Sequence, residues 1–269
     1  MKKKIVLALV FFFISGVMTL EADEAEQMFE GFRISGVSSN GSKTWEVTGE
    51  TADILTDIVK LTKIVANVYG EEEVTLSAKE GHLNKETGNL LLQHDVVATT
   101  PEGARMTTDT LTWDRDSNIV TTDDFVTVQK GEMTATGTGL QAQTELNQAT
   151  MKKDVTVEFT SEDSKTKASR KTIVTCDGPM EIDYQNQAAE FKNNVLVSDE
   201  QGTMAADYMK LLIDFETKEM DKIIARGNVE IHRGENTSHS QEAVYTAADK
   251  KVVLSGRPKL VFYTEGEFK

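Results

Sequence analysis

A short residue pattern recurs along most of this chain, and its plainest copy occupies residues 106–128. That copy has an alternating apolar and polar run, a polar turn at residues 114–118, and a second alternating run in which an acidic residue precedes apolar ones. Alternation with a period of two residues predicts strands that each bury one face. The chain is therefore expected to consist of repeated β-hairpins.

The closing step of the pattern, an acidic or amide residue followed by an apolar one, sets the register of the copies. Successive copies start 29, 30, 40, 34 and 29 residues apart, and the long interval contains the polar residues 161–171. A nearly constant period of this size is typical of repeat architectures, in which one unit cannot bury its apolar face alone. The copies start at Asp95, Asp124, Asp154, Asn194, Asn228 and, in degenerate form, Arg257.

The opening step of the pattern also repeats. An apolar residue is followed two residues later by a small one, as in Met106 with Thr108 and Met204 with Ala206. In three copies an aspartate comes next, at Asp109, Asp177 and Asp207. The copies differ by small insertions, which predict bulges or turns.

Two architectures would satisfy such a repeat, a β-solenoid and a long open jelly roll in which two antiparallel sheets face each other. The turns fall at hairpin positions and the units vary in length, which favours antiparallel hairpins. Residues 53–68 also fit helical spacing, but their place beside the repeats favours strands. We predict an all-β, repeat-built open β-jelly roll, preceded by one N-terminal hydrophobic segment.

The charge balance limits what the chain can bind. A formal net charge of -15, from 44 acidic and 29 basic residues, argues against nucleic acid or another polyanion held by charge. An anionic ligand would have to be held by its apolar part. The single cysteine, Cys176, excludes an internal disulfide and stands at a small-residue position of the repeat, where a packed thiol is expected.

The N-terminus differs from the rest of the chain. Three lysines precede an uncharged apolar stretch at residues 5–20, which predicts an export signal or a short membrane anchor, with an uncleaved anchor favoured. The expected organisation is a signal or anchor at 1–22, a tether at 23–42, a first jelly roll at 43–160, a linker or long loop at 161–172, and a second jelly roll at 173–269.

The predicted inward positions are rich in methionine and phenylalanine. Methionine adapts to irregular apolar partners such as acyl chains, although it fills ordinary cores equally well. The candidate lining residues are Leu76, Met106, Leu111, Trp113, Phe125, Met133, Leu140, Phe159, Met180, Phe191, Met204 and Phe215. The candidate edge for a protein partner is formed by Leu260, Val261, Phe262 and Tyr263.

Several stretches resemble known families. The hydrophobic segment, KTWEV at 43–47, LSAKEG at 76–81 and TTDTLTWD at 107–114 resemble the lipopolysaccharide-transport family LptC. The stretches AAD at 205–207 and IARGNVEI at 224–231 resemble the related OstA-like family LptA. The two are better known as separate proteins, whereas here both lie in one chain.

The resemblance implies a periplasmic bridge, anchored to the inner membrane, whose interior carries the acyl chains of lipid A. Its implied partners are lipopolysaccharide, an inner-membrane ABC transporter, and other jelly-roll proteins or the outer-membrane translocon. It implies no cofactor and no enzymatic activity.

Enzymatic motifs are lacking from the sequence. There is no zinc-ligand spacing, nucleophile motif or nucleotide loop. Asp114, Asp116, Asp123 and Asp124 could pair as glycosidase carboxylates or calcium ligands, but they flank a turn and a strand edge, where aspartate commonly bonds to the local backbone. The alternative function is a secreted β-repeat protein that binds or cleaves a polysaccharide.

Overall fold

The computed structural model describes residues 27–38, 41–54, 57–69, 73–114, 116–143, 147–162, 169–214, 220–249 and 251–261. These residues form seventeen strands in one antiparallel sheet, and none of them lies in a helix. The predicted all-β jelly roll is confirmed, and residues 58–68 are a strand. The hydrophobic segment at 1–22 lies outside the described residues.

The strands follow one another along the chain with short connections. In order they are β1 (Gln27–Val37), β2 (Lys43–Ile54), β3 (Ile58–Val68), β4 (Val74–Asn84), β5 (Leu90–Thr99), β6 (Arg105–Asp114), β7 (Ile119–Lys130), β8 (Met133–Gln143), β9 (Gln148–Glu162), β10 (Ser169–Cys176), β11 (Met180–Asp183), β12 (Ala188–Asp199), β13 (Gly202–Ile213), β14 (Met220–Arg233), β15 (Asn236–Thr246), β16 (Lys251–Ser255) and β17 (Lys259–Val261).

The sheet is a meander in which each strand pairs with the next. The strands β10 and β11 share one position, because both pair with β9 and both pair with β12. The strands β16 and β17 likewise both pair with β15. The sheet therefore has fifteen strand positions, with β1 at one edge and β16 with β17 at the other.

Most strands bend near the middle, and the bends lie side by side across the sheet. The pairing shifts there, for example between Gln93 and Val96 and between Lys192 and Val195. Many residues at the bends have positive φ, including Asp95, Asp154 and Asn228. Bulges of this kind bend a strand and increase its twist. An aligned row of bends folds the single sheet over on itself, so that both halves of a strand line one interior.

The bends have two spacings, which alternate from β4 to β9 and again from β12 to β15. In one set of strands the two buried residues that flank the bend are four apart, and in the other set they are three apart. The first set comprises Leu92 and Val96, Thr122 and Val126, Met151 and Val155, Phe191 and Val195, and Ala225 and Val229. The second set comprises Leu61 and Ile64, Ala78 and Gly81, Thr108 and Leu111, Gly137 and Leu140, Ala206 and Met209, and Ser240 and Ala243.

The interior is continuous along the sheet. One buried cluster extends from Ala52 to Leu111, another from Val126 to Ala243, and the half-buried Met106 packs against both. The second cluster contains Met151 from β9 and Val174 from β10. The sheet also continues here, because β9 and β10 pair from Val155 with Cys176 to Glu162 with Ser169. Sheet and core are thus both continuous from β9 to β10.

Candidate functional site

A continuous row of inward residues lies on one side of the bends, and we call it the outer row. Its members face one another in register from strand to strand, and several are only partly buried. Three candidate lining residues, Leu76, Met106 and Met204, belong to it. The outer row is Leu76, Ala98, Met106, Val128, Ala135, Val157, Val174, Val197, Met204 and Ile231.

A second row, which we call the inner row, lies on the opposite side of the bends and is closed to solvent. It contains the candidates Leu140, Met180 and Phe191, which are directly paired through Met151 and are at most 9% exposed. Leu111 holds the same position beside Leu92 in the first cluster. These four side chains are structural core in the form described.

Three further candidates lie toward the ends of the strands. Trp113 is half-buried in register between Leu90 and Val120, and its Nε1 donates a hydrogen bond to Asn118 Oδ1 at 3.2 Å. Met133 and Phe159 face each other one position beyond the outer row. Phe159 packs against the core, whereas Met133 is 37% exposed.

The inward placement predicted for Phe125 is wrong. Its side chain is 60% exposed, while the next residue, Val126, is completely buried. The bulge in β7 shifts the pairing between Thr122 and Phe125, so Phe125 takes the outward position that Asp95 takes in β5. Phe125 fits the repeat pattern because it is an apolar residue after an acidic one, but the residue that points inward is the next one, Val126.

Of the remaining candidates, three lie outside the described residues and two lie on β17. Phe215, Phe262 and Tyr263 lie outside them. Leu260 is 52% exposed and Val261 half-buried on β17, at the edge of the sheet. The opposite edge, β1, exposes Met28, Phe29, Ile34 and Val37.

Sequence reasoning missed seven of the ten members of the outer row, among them Val128, Val197 and Ile231. Each of these three is two residues beyond the buried valine of its own bend, at Val126, Val195 and Val229. That fixed offset is a signal in the sequence, but it becomes visible only after the bend has been located.

Three of the four candidate carboxylates, Asp114, Asp123 and Asp124, are bonded to other residues. Asp114 Oδ1 accepts hydrogen bonds from the Ser117 hydroxyl at 2.7 Å and the Ser117 backbone N at 2.9 Å, which hold the pKa of Asp114 below its ordinary value. Asp123 forms an ion pair with Lys152 at 2.6 Å, which lowers the pKa of Asp123. Asp124 accepts a hydrogen bond from Thr110. Asp114 therefore bonds within its own turn, as expected, whereas Asp123 and Asp124 bond to side chains of β9 and β6.

Other sites are not evident in the described part of the chain. No group of three or more His, Cys, Asp or Glu residues there is placed to hold a metal ion. Within the same residues, no helix has the length and apolarity to span a membrane.

Apart from Phe125, the outward side of the bends is mainly polar, and several strands are joined there by side-chain pairs, which together we call the bend ladder. Asn194 donates to Asp177 at 2.6 Å and Asn228 to Asp207 at 2.9 Å. Lys63 pairs with Glu50 at 2.6 Å. The interior is thus apolar and the outer spine of the roll charged.

Two family models match this chain. A model described as lipopolysaccharide-assembly, LptC-related, matches residues 8–160. A model for LptA and the N-terminal domain of LptD, described as a lipopolysaccharide transport protein, matches residues 178–267. The search of curated proteins found no match.

Proposed function

The chain belongs to the LptC-related lipopolysaccharide-assembly family and carries an LptA-type transport domain after it, and from this premise we propose that it is a periplasmic bridge for lipopolysaccharide. A role in lipopolysaccharide transport follows from the two domains. The finer proposal is that the acyl chains of lipid A lie along the outer row, while the sugars remain outside. The N-terminal segment would anchor the bridge to the inner membrane.

The observation that carries this proposal is the unbroken register of the outer row. From Leu76 to Ile231 each inward residue is paired with an apolar residue of the next strand. At a strand spacing of about 4.8 Å, the ten members of the outer row span about 43 Å. A lipid could therefore move along one apolar surface without crossing a polar boundary.

The free energy of lipid binding would come from the acyl tails rather than from the charged headgroups. Each CH₂ group transferred from water to an apolar surface contributes about 0.8 kcal/mol, so several acyl chains supply ample affinity. The net charge of -15 gives the phosphates no general attraction. Binding by tails explains how an acidic protein could hold an anionic lipid.

The described form is closed, so lipid entry would require the two rows to separate. Inner-row residues such as Met209 and Ala225 are completely buried. Outer-row residues such as Met106 and Met204 remain partly accessible. We propose that acyl chains enter at the outer row. The two halves of each strand would move apart there, while the bends stay in place as the hinge.

The two edges of the sheet suit partners that extend it. Exposed strand edges with apolar side chains are ready to pair with another strand. The C-terminal edge exposes Val252, Val253 and Leu260. We propose that the ABC transporter lies on the N-terminal side and that a jelly-roll protein or the outer-membrane translocon lies on the C-terminal side.

Photo-crosslinking in cells tests the lipid path. A photoreactive amino acid at Leu76, Met106 or Met204 should give lipopolysaccharide adducts. The same probe at Phe125 is the matched control, because that side chain is exposed on the outward face. Equal labelling at Phe125, or no adduct at any position in folded and exported protein, would contradict the proposal.

A further inference from the structure

The C-terminal edge of the sheet contains a gap that opens into a cavity. β16 pairs with residues 242–246 of β15 and β17 with residues 237–239, so Ser240 and Gln241 have no strand beside them on this side. Pro258 lies between β16 and β17, and a proline has no backbone N–H to donate to a strand ladder. A cavity of about 310 Å³, within the usual size range of ligand pockets, lies at this gap.

The cavity connects the interior of the roll with its outward side. Its lining includes the inward residues Val229 and Ser240 and the bend residues Asn228 and Gln241. The outer row ends beside it, at Ile231 on β14. A ligand whose apolar part lies along the outer row could therefore place a polar group in this cavity.

The interior becomes polar at β15. Ile231, the final member of the outer row, pairs with Ser238, and Val229 pairs with Ser240. Ser240 is only 6% exposed, and its hydroxyl has no hydrogen-bond partner. A buried hydroxyl without a partner is unfavourable, and a ligand that accepts a hydrogen bond would satisfy it.

The gap explains why the Ser240 hydroxyl is left without a partner. Thr108 holds the equivalent position in β6, where its hydroxyl lies 3.3 Å from that of Thr122 on the following strand. No strand follows β15 at Ser240, so the cavity takes the place of such a neighbour.

The unpaired charge at the cavity is positive, although the net charge of the chain is -15. Arg257 lines the cavity, is exposed, and makes no ion pair or hydrogen bond with any residue that the structure describes. Lys259 is also exposed and lies in register beside His239, another lining residue. The carboxylate in the lining, Glu230, is already paired, because its Oε1 lies 2.6 Å from Nε2 of His232.

We propose that this cavity binds a phosphate monoester on the headgroup of a lipid whose acyl chains lie along the outer row. The guanidinium of Arg257 would pair with two phosphate oxygens, and the Ser240 hydroxyl would donate to the third. A phosphate offers three acceptor oxygens, whereas the same pairing with Arg257 engages both oxygens of a carboxylate.

The inference rests on the proposed function and adds a headgroup site at the C-terminal end of the lipid path. Tail binding along the outer row does not distinguish one position from the next. A phosphate site at β15 would hold the lipid at the end of the row, before its transfer to the next carrier.

The lipid selectivity of the full chain in detergent tests this site. Equilibrium binding compares lipid A with the same lipid after enzymatic removal of its phosphates. The parent chain should bind the phosphorylated lipid at least about tenfold more tightly, as expected for hydrogen bonds between charged groups. Arg257→Gln should abolish this preference and leave the affinity for the dephosphorylated lipid unchanged.

Lys251→Gln is the matched control. It removes the same charge from β16, but Lys251 does not line the cavity. This variant should keep the preference for the phosphorylated lipid. An equal loss of preference in Lys251→Gln and Arg257→Gln would show a general charge effect and overturn the site.

Ser240→Ala separates ligand binding from folding. It should reduce the preference several-fold without lowering the free energy of unfolding, because the hydroxyl has no partner within the chain. A less stable variant with an unchanged lipid preference would refute the role of Ser240.

Inorganic phosphate is the second probe, because the free ion would meet the same donors. Binding of inorganic phosphate that Arg257→Gln abolishes, together with equal binding of the two lipids, would identify a site for the free ion. That result would overturn the lipid assignment.

The two proposals can fail separately. Equal binding of both lipids by the parent and by Arg257→Gln would leave the bridge intact and exclude the headgroup site. Failure of the folded parent chain to bind either lipid would instead contradict the proposed function, and this inference with it.

Discussion

Asn228 donates a hydrogen bond to Asp207 at 2.9 Å across the bend of two neighbouring strands, and Asn228 has a left-handed backbone with φ of 46°. The same arrangement joins Asn194, φ 52°, to Asp177. Two of the three aspartates that recur in the opening step of the sequence repeat, Asp177 and Asp207, are therefore acceptors for amides that recur in its closing step. These pairs fix neighbouring bends to one another.

Backbone strain at this bend gives a first prediction. Asn228→Gly and Asn228→Ala both lose the hydrogen bond to Asp207, but only alanine keeps a Cβ in the left-handed conformation. The alanine variant should be about 1 kcal/mol less stable than the glycine variant. Urea unfolding of both proteins measures the difference. Equal stabilities would show that the bend carries no strain.

The buried valines give a second prediction. Val229 is 1% exposed, so Val229→Ala should lower the free energy of unfolding by about 2 kcal/mol through lost burial and the cavity left behind. Phe125→Ala, on the outward face, should change it by no more than about 0.5 kcal/mol. A larger loss at Phe125 than at Val229 in denaturant titrations would contradict the assigned orientation.

The ionisation of Tyr208 gives a third prediction. Burial, followed by the hydrogen bond to Glu190, raises the pKa of Tyr208 to about 12. Because the folded pKa lies above the ordinary value of 10, this contribution to stability is complete below pH 10 and is lost as pH rises toward 12. The difference in absorbance at 295 nm between the parent and Tyr208→Phe should show a midpoint near pH 12. A midpoint near 10 would contradict it.

Two adjacent residues give a fourth prediction, on lipid loading. Val197 is in the outer row, whereas Leu196 is 41% exposed on the other face of the same strand. Val197→Asp should greatly reduce the lipopolysaccharide that copurifies with the chain, and Leu196→Asp should not. Val197→Ser provides a milder variant if the aspartate prevents folding. Similar loading of all three proteins would remove this row from the lipid path.

Continuity of the sheet gives a fifth prediction. A protease site inserted within residues 163–168 should allow cleavage without separation of the halves, because β9 and β10 remain paired and share one core cluster. Size-exclusion chromatography of the cut protein should show one species, which denaturant then separates. Two species in native buffer would mean two independent rolls.

Much of the fold was predictable because alternation and a constant period are local properties of the sequence. Phe125 was assigned inward because the repeat pattern aligned Asp124 with Asp95, whereas Phe125 itself holds the position equivalent to Asp95. The sequence also did not show that Leu140 and Phe191 belong to the inner row while Met106 and Met204 belong to the outer row. Depth within the roll depends on distance from the bend, and bends are set by cross-strand register rather than by composition.

The covalent link between β9 and β10 has a consequence for how a relay of this kind would operate. A joint between separate chains opens and closes according to their concentrations, and each opening interrupts the route. Here the central joint forms within one molecule, so its effective concentration is fixed by the short connection and does not depend on expression level. Dilution can therefore break such a relay only at the two outer edges, never at its centre.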